Sequence, residues 1–306
     1  MKKHHLLALF VALGLLVGLL LGPGTAAQGP STQLVMILDG SGSISSDDWT
    51  LITDGLADAI ENPDCIPHDG SVELTVIQFS TNAKLEVGPV VITSANASSV
   101  ATQIRGISQM RGRTCIACGF CLAQDVLLNY SSHYNASLKQ ALNLVTDGEP
   151  NRCADCADCT GAPNWECPSS DCPSGVNDYD SAEAAQDSTI SQLGMTSGQD
   201  EIDAEFIGTE GEASEWLKNK IVWPQPGSYA YDPPFTAGWV RVIPDAKTFA
   251  DTVCEKITEI VPTPTPAPVG GIIVPVNKVE LLAPWLGLAA LMVAAVAAAV
   301  VRRRRA

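Results

Sequence analysis

Five oxygen-bearing side chains stand out by type and spacing: Asp39, Ser41 and Ser43 in "MILDGSGSIS" (residues 36–45), Thr114 in "RGRTCIACG" (111–119) and Asp147 in "LVTDG" (144–148). Taken singly, each has an ordinary use, because serine forms turns, aspartate caps helices and Asp-Gly turns a chain. Together they make a set of hard oxygen ligands, two carboxylates and three hydroxyls, of the kind that holds Mg²⁺, with Mn²⁺ or Ca²⁺ as alternatives. Gly40 and Gly42 would let the first loop wrap closely around such an ion.

These residues can converge only if the surrounding elements carry them to one place. Gln33–Leu38 is a continuous apolar run, as in a strand covered on both faces, and it stops at Asp39. Gln140–Gly148 repeats the design and stops at Asp147. Between and after them the pattern alternates. A helix is predicted over 46–60, with Ser46 as its cap and Trp49, Ile52, Leu56 and Ile60 at helical spacing. Strands are predicted over 71–80 and 84–92, helices over 97–107 and 116–130, a helix over 180–193 and a strand over 201–207. A short helix near Trp216, a strand near Val240 and a helix over 245–260 complete the order. Strands alternating with helices predict an α/β, doubly wound, mostly parallel sheet flanked by helices, whose ligands bind beyond the carboxyl ends of the strands. Asp39, Ser41, Ser43 and Asp147 fall at such ends, and Thr114 immediately precedes a helix on the same rim.

The ends of the chain are equally legible. Lys2 and Lys3, an apolar run over 6–21, Gly22-Pro23-Gly24 and the small residues Thr25-Ala26-Ala27 predict a signal peptide over 1–27. Residues 281–301 carry no charge and are followed by Arg302–Arg305, which predicts a transmembrane helix and an arginine-rich cytoplasmic tail over 302–306. A Pro/Thr-rich and Gly-containing linker spans 262–280. The expectation is a single-pass protein of the cell envelope or cell surface with its folded domain, residues 31–261, outside, and a C-terminal anchor open to processing.

The net charge is −16 over 306 residues, and residues 28–277 hold 33 Asp and Glu against 11 Lys and Arg. Such a surface repels nucleic acid and anionic lipid. All ten cysteines lie in the exported part: Cys65, Cys115, Cys118, Cys121, Cys153, Cys156, Cys159, Cys167, Cys172 and Cys254. An oxidising compartment makes them disulfide candidates, while the Cys-x2-Cys-x2-Cys spacing at 115–121 and 153–159 leaves a Cys-ligated metal or redox protein as an alternative. Asn96, Asn129 and Asn135 sit in glycosylation sequons. Trp165, Tyr179, Tyr229, Tyr231 and Trp239 are available as aromatic anchors or core.

Catalytic readings fare worse. Outside the leader only His68 and His133 are present, neither in a recognisable motif, and there is no Gly-x-Ser-x-Gly elbow. Ser41 stands where a haloacid-dehalogenase-type phosphatase would need a second aspartate. The chain is therefore expected not to be an enzyme.

Asp39-Gly-Ser41-Gly-Ser43, Thr114 and Thr146-Asp147-Gly148, in this order, resemble the metal-ion-dependent adhesion site of the von Willebrand factor type A domain, a Rossmann-like fold. The resemblance covers residues 31–261, with a Cys-rich insertion at 150–178. It implies that Ser41, Ser43 and Thr114 hold a cation by their hydroxyls while Asp39 and Asp147 act directly or through water. It also implies that a carboxylate of a protein partner completes the site. The C-terminal spacer, apolar helix and arginines resemble prokaryotic surface-sorting signals. As departures from the family pattern, the cysteines at 115–121 and at 153–172 lie on the metal-bearing rim and are expected to cross-link to each other, bracing a lid beside the site and leaving Cys65 for Cys254. The function expected is cation-dependent protein binding or adhesion, with a structural envelope protein as the alternative.

Overall fold

The computed structural model describes residues 29–159, 166–231 and 237–261. The expected leader, linker, transmembrane helix and tail, and Trp165, lie outside these residues. Among the described residues, no helix is long and apolar enough to cross a membrane.

Strand β1 (Thr32–Asp39) is buried along its whole length, which is why its sequence is apolar on both faces. It lies in the middle of a seven-stranded sheet of order β5-β3-β2-β1-β4-β6-β7. β2 (Asp69–Phe79) and β4 (Lys139–Thr146) flank it in parallel, and β6 (Glu201–Ile207) and β7 (Val240–Ile243) continue the parallel run. β3 (Ala83–Thr93) and the two-residue β5 (Glu166–Cys167) add an antiparallel edge. The α/β sheet expected from the sequence is thus present, with the addition of β5, a strand too short to leave a pattern.

Helix α1 (Ser46–Glu61) is capped by Ser45, not Ser46: the Ser45 hydroxyl accepts from the Asp48 amide at 3.1 Å, and Asp47 and Asp48 complement the helix N-terminus. Its buried stripe, Trp49, Ile52, Leu56 and Ile60, packs with α2 (Ala97–Arg105) and α6 (Ala246–Ile260) on Leu34, Met36 and Leu38 of one sheet face. The opposite face, Val35 and Ile37, is covered by α3 (Ile116–Asn129) and α4 (Asp178–Leu193). Gly119 of α3 allows that approach, because a Cβ there would lie 2.7 Å from Ile37 Cγ2. A short α5 (Glu212–Trp216) runs into a π turn over Leu217–Ile221.

One part of the core is charged. Glu201, Asp203 and Glu205 alternate along β6 and are buried on the face that α6 covers, where Lys256 is also fully buried. Its ammonium lies 3.8 Å from Asp203 Oδ2 and 3.4 Å from the centroid of the Trp239 ring. Lys139 pairs with Glu201 at 2.6 Å. Burial pushes the three carboxyls up, Glu205 to about 7, and pushes Lys256 down.

All ten cysteines are paired: Cys65–Cys254, Cys115–Cys118, Cys121–Cys156, Cys153–Cys172 and Cys159–Cys167. The Cys65–Cys254 pair is the one expected. The expected cross-linking of the two rim groups needs correction, since Cys121–Cys156 is the single bridge between them. Cys115 and Cys118, at the start of α3, have Cα atoms 5.3 Å apart and satisfy each other, and the remaining four close short loops within the insertion. Although the sulfurs of Cys121, Cys159 and Cys167 lie within 4.8 Å of one another, each belongs to a disulfide, so no thiolate is left to hold a metal.

Candidate metal centre

β1 and β4 are paired in parallel with Leu38 opposite Val145, so the residues that follow them leave the sheet at the same rim. Asp39 ends β1 in a buried position. Its Oδ1 accepts from the Ser41 amide at 2.9 Å and its Oδ2 from the Thr146 hydroxyl at 2.6 Å. The hydroxyls of Ser41 and Ser43 are 2.9 Å apart, and Ser43 Oγ donates to Asp147 Oδ1 at 2.7 Å. Four of the five expected residues therefore form one connected cluster of oxygens.

Thr114 arrives from the other side. It is buried just ahead of α3, its amide donates to Asn151 Oδ1 at 2.8 Å, and its carbonyl accepts from the Asn151 amide at 2.9 Å. Among the described residues its hydroxyl has no hydrogen-bond partner. The loop that carries it is tied to the first loop: Gly42 N donates to the Gly112 carbonyl at 2.9 Å, and Arg111 N to the Gly40 carbonyl at 2.8 Å. Gln109 Nε2 adds bonds to the carbonyls of Ser41 and Ile44 at 3.0 and 2.8 Å.

The electrostatics are those of a site short of positive charge. Burial, with Asp147 nearby, pushes the Asp39 carboxyl up to about 7 against the pull of its hydrogen bonds from Thr146 and Ser41. Burial also raises Asp147, against the Ser43 bond. A small dication with ligands at about 2.1 Å in octahedral array has adjacent oxygens about 3 Å apart. The spacings of 2.9 Å between Ser41 and Ser43 and 2.7 Å between Ser43 and Asp147 are close to that edge. The donor set is all oxygen, one hydroxyl is unspent, and the two acids repel each other without a cation. The residues fit a hard divalent ion.

Three supporting residues had no role assigned from sequence, Thr146 entering there only as the neighbour of Asp147 and Asn151 and Gln78 not at all. Thr146 orients Asp39, and its place beside Asp147 was the available signal. Asn151 holds Thr114 through two backbone bonds and has no local signature. Gln78 is buried under the rim, where its Oε1 accepts from Met110 N at 2.6 Å and its Nε2 donates to the Ser108 carbonyl at 3.1 Å.

The remaining candidates lie elsewhere. Asn129 and Asn135 are exposed, while Asn96 spends its amide on Thr93 N and the Val91 carbonyl at the start of α2. The aromatic residues are largely structural: Tyr179 stacks edge-on against Trp216, Tyr229 donates to Ser214 Oγ, Tyr231 donates to the Glu259 carbonyl, and Trp239 is buried.

Residues 33–160 match the family model of the von Willebrand factor type A domain. No curated protein matches the chain. Among solved structures, proximal thread matrix protein 1 from the mussel byssus is 14% identical with a TM-score of 0.47, covering 76% of this chain and 48% of its own. The pilus adhesin SpaC from Lactobacillus rhamnosus GG is 13% identical with a TM-score of 0.48, over 75% of this chain and 31% of its own. A von Willebrand factor type A protein from Catenulispora acidiphila is 17% identical with a TM-score of 0.48, over 74% and 42%. The mussel protein also has a structure with zinc in its metal-ion-dependent adhesion site. The chain spans about half or less of the length of these proteins.

Proposed function

We propose that this protein, whose residues 33–160 match the family model of the von Willebrand factor type A domain, is a cell-surface adhesion module that binds a protein partner through a divalent cation. Ser41, Ser43 and Thr114 would hold the ion by their hydroxyls, and Asp39 and Asp147 directly or through water. The observation that carries the reading is the connected oxygen cluster Asp39–Ser41–Ser43–Asp147, with the unspent Thr114 hydroxyl on the adjoining loop. Mg²⁺ suits it best, with Mn²⁺ or Ca²⁺ next.

What the ion would supply is a positive charge that neutral hydroxyls leave under-compensated, so that an outside carboxylate completes its shell. The protein's own residues fix the geometry: Thr146 orients Asp39, Asn151 positions Thr114, and Gln109 holds the first loop. A binding role rather than catalysis is favoured by the placement of both histidines in other networks, His68 with the Ile60 carbonyl and His133 with Glu73. The five disulfides favour an exported, oxidising location.

The test is calorimetric titration of Mg²⁺, then Mn²⁺, into metal-stripped, oxidised protein, for wild type, Asp39→Ala and Thr114→Ala. One-to-one binding in wild type that both substitutions abolish is expected. Absence of binding to a folded wild type would refute cation dependence and leave a structural envelope protein.

A further inference from the structure

Positive charge is scarce in this domain and nearly all of it is spent internally. The described residues include eleven Lys and Arg, and nine of them lie in ion pairs with Asp or Glu. The other two are Arg111 and Arg113. Both are exposed, and among the described residues neither meets a carboxylate, although acids outnumber bases threefold. They flank Gly112, whose carbonyl accepts from Gly42 N inside the candidate metal loop.

The backbone that presents them is fixed on every side. Arg111 N donates to the Gly40 carbonyl at 2.8 Å, Ser80 Oγ donates to the Arg111 carbonyl at 2.9 Å, and Arg113 N donates to Thr81 Oγ1 at 3.0 Å. Arg111 is the one non-glycine among the described residues with positive φ, at 59°. Gly112 has φ 120°, and a Cβ there would lie 2.5 Å from Thr81 Oγ1. A left-handed arginine costs conformational energy, and such costs gather where a side chain must be aimed. Here the loop backbone is tied by hydrogen bonds at both arginines, while among the described residues neither guanidinium group meets a carboxylate.

We propose that Arg111 and Arg113 form a second anion-reading subsite, so that the partner is an acidic peptide segment offering two carboxylates, one to the cation and one to the arginine pair. The proposal rests on the cation-dependent reading of the rim. The planar, five-donor guanidinium matches a carboxylate bidentately. A long polyanion such as nucleic acid is disfavoured by the excess of acids over the rest of the domain, whereas a short segment with two carboxylates brings little charge beyond what the ion and the arginines neutralise. Exposed arginine–carboxylate pairs are weak singly, and the two together are expected to give about a tenfold preference.

The experiment measures binding of the full, oxidised chain, in Mg²⁺, to immobilised capped peptides carrying one glutamate (Gly-Gly-Glu-Gly-Gly) or two (Glu-Gly-Glu and Glu-Gly-Gly-Glu). Wild type is compared with Arg111→Asn/Arg113→Gln, asparagine being a residue that tolerates the left-handed backbone. Expected is about tenfold tighter binding of a two-glutamate peptide by wild type, reduced in the variant to the one-glutamate level, with the variant's Mg²⁺ titration unchanged. Equal binding of all peptides by wild type, or a preference that survives in the variant, would overturn the subsite alone. Loss of all chelator-sensitive peptide binding in wild type would instead overturn the adhesive reading, and the subsite with it.

Discussion

Replacing Lys256 with methionine probes the energetic weight and the ionisation of the charged core. The side chain is fully buried, its ammonium is 3.8 Å from Asp203 Oδ2 and it sits over Trp239. At an effective dielectric near 20, a pair at that separation attracts by about 4 kcal/mol. Methionine keeps most of the volume, so the main loss is electrostatic: a carboxylate stays buried without its cation, which costs about 3–5 kcal/mol. The cost has a pH signature. Glu205 is pushed up to about 7, Asp203 and Glu201 are also raised, and removing the lysine raises them further. A carboxyl whose folded pKa lies above its unfolded value favours folding fully below that unfolded value, near 4, and loses the advantage as pH rises through the folded value. Lys256→Met is therefore expected to lose about 3–5 kcal/mol at pH 8 and much less at pH 5.5, where the acids take up protons. Lys256→Met/Asp203→Asn should recover most of the loss at pH 8. Urea unfolding at the two pH values, under oxidising conditions, reads all three proteins. A loss below about 1 kcal/mol at both pH values would refute the buried ion cluster, and an equal large loss at both would refute its ionisation.

Two further perturbations probe the frame that holds the rim. Removing the Cys65–Cys254 bridge, which spans 189 residues, by paired serine substitutions is expected to cost up to about 5 kcal/mol in the chain-entropy account; an unchanged urea midpoint would contradict it. Gly119→Ala would press a Cβ to within 2.7 Å of Ile37 Cγ2 and force α3 off β1, with an expected loss of about 1–3 kcal/mol and weaker Mg²⁺ binding through Thr114. Full stability with unchanged metal affinity would show that the helix does not need that close approach.

Much of this was legible because the informative patterns are local. The apolar run ending at Asp39 and its repeat ending at Asp147 give both strands and both acids, and strand–helix alternation then brings them to one rim. Other parts were not readable for physical reasons. Glu201, Asp203 and Glu205 alternate with apolar residues, the usual mark of a strand with one wet face, yet α6 buries them because Lys256, some 50 residues later, supplies countercharge. β5 is two residues placed beside β3, with Cys167 bonded to Cys159, and has no periodicity to detect. Cysteine spacing could not distinguish bridges between the rim groups from bridges within them, since several pairings satisfy the same sequence. Asn151 acts through backbone atoms of a residue 37 positions away, a contact that only the fold creates.

The bridge between Cys65 and Cys254 also has a mechanical meaning. A pull applied at the C-terminal side of the domain can unwind the last turns of α6 only as far as Cys254, and then it meets a covalent bond. From there the load crosses to Cys65, and α1 with one short turn carries it to Ser43 at the rim. The residues between the two cysteines, which at about 3.3 Å each could pay out roughly 450 Å of chain with the other four bridges intact, are bypassed. Under tension applied between the rim and the C-terminal side of the domain, this path behaves as a link of fixed length. Reduction of one disulfide would convert it into an extensible tether.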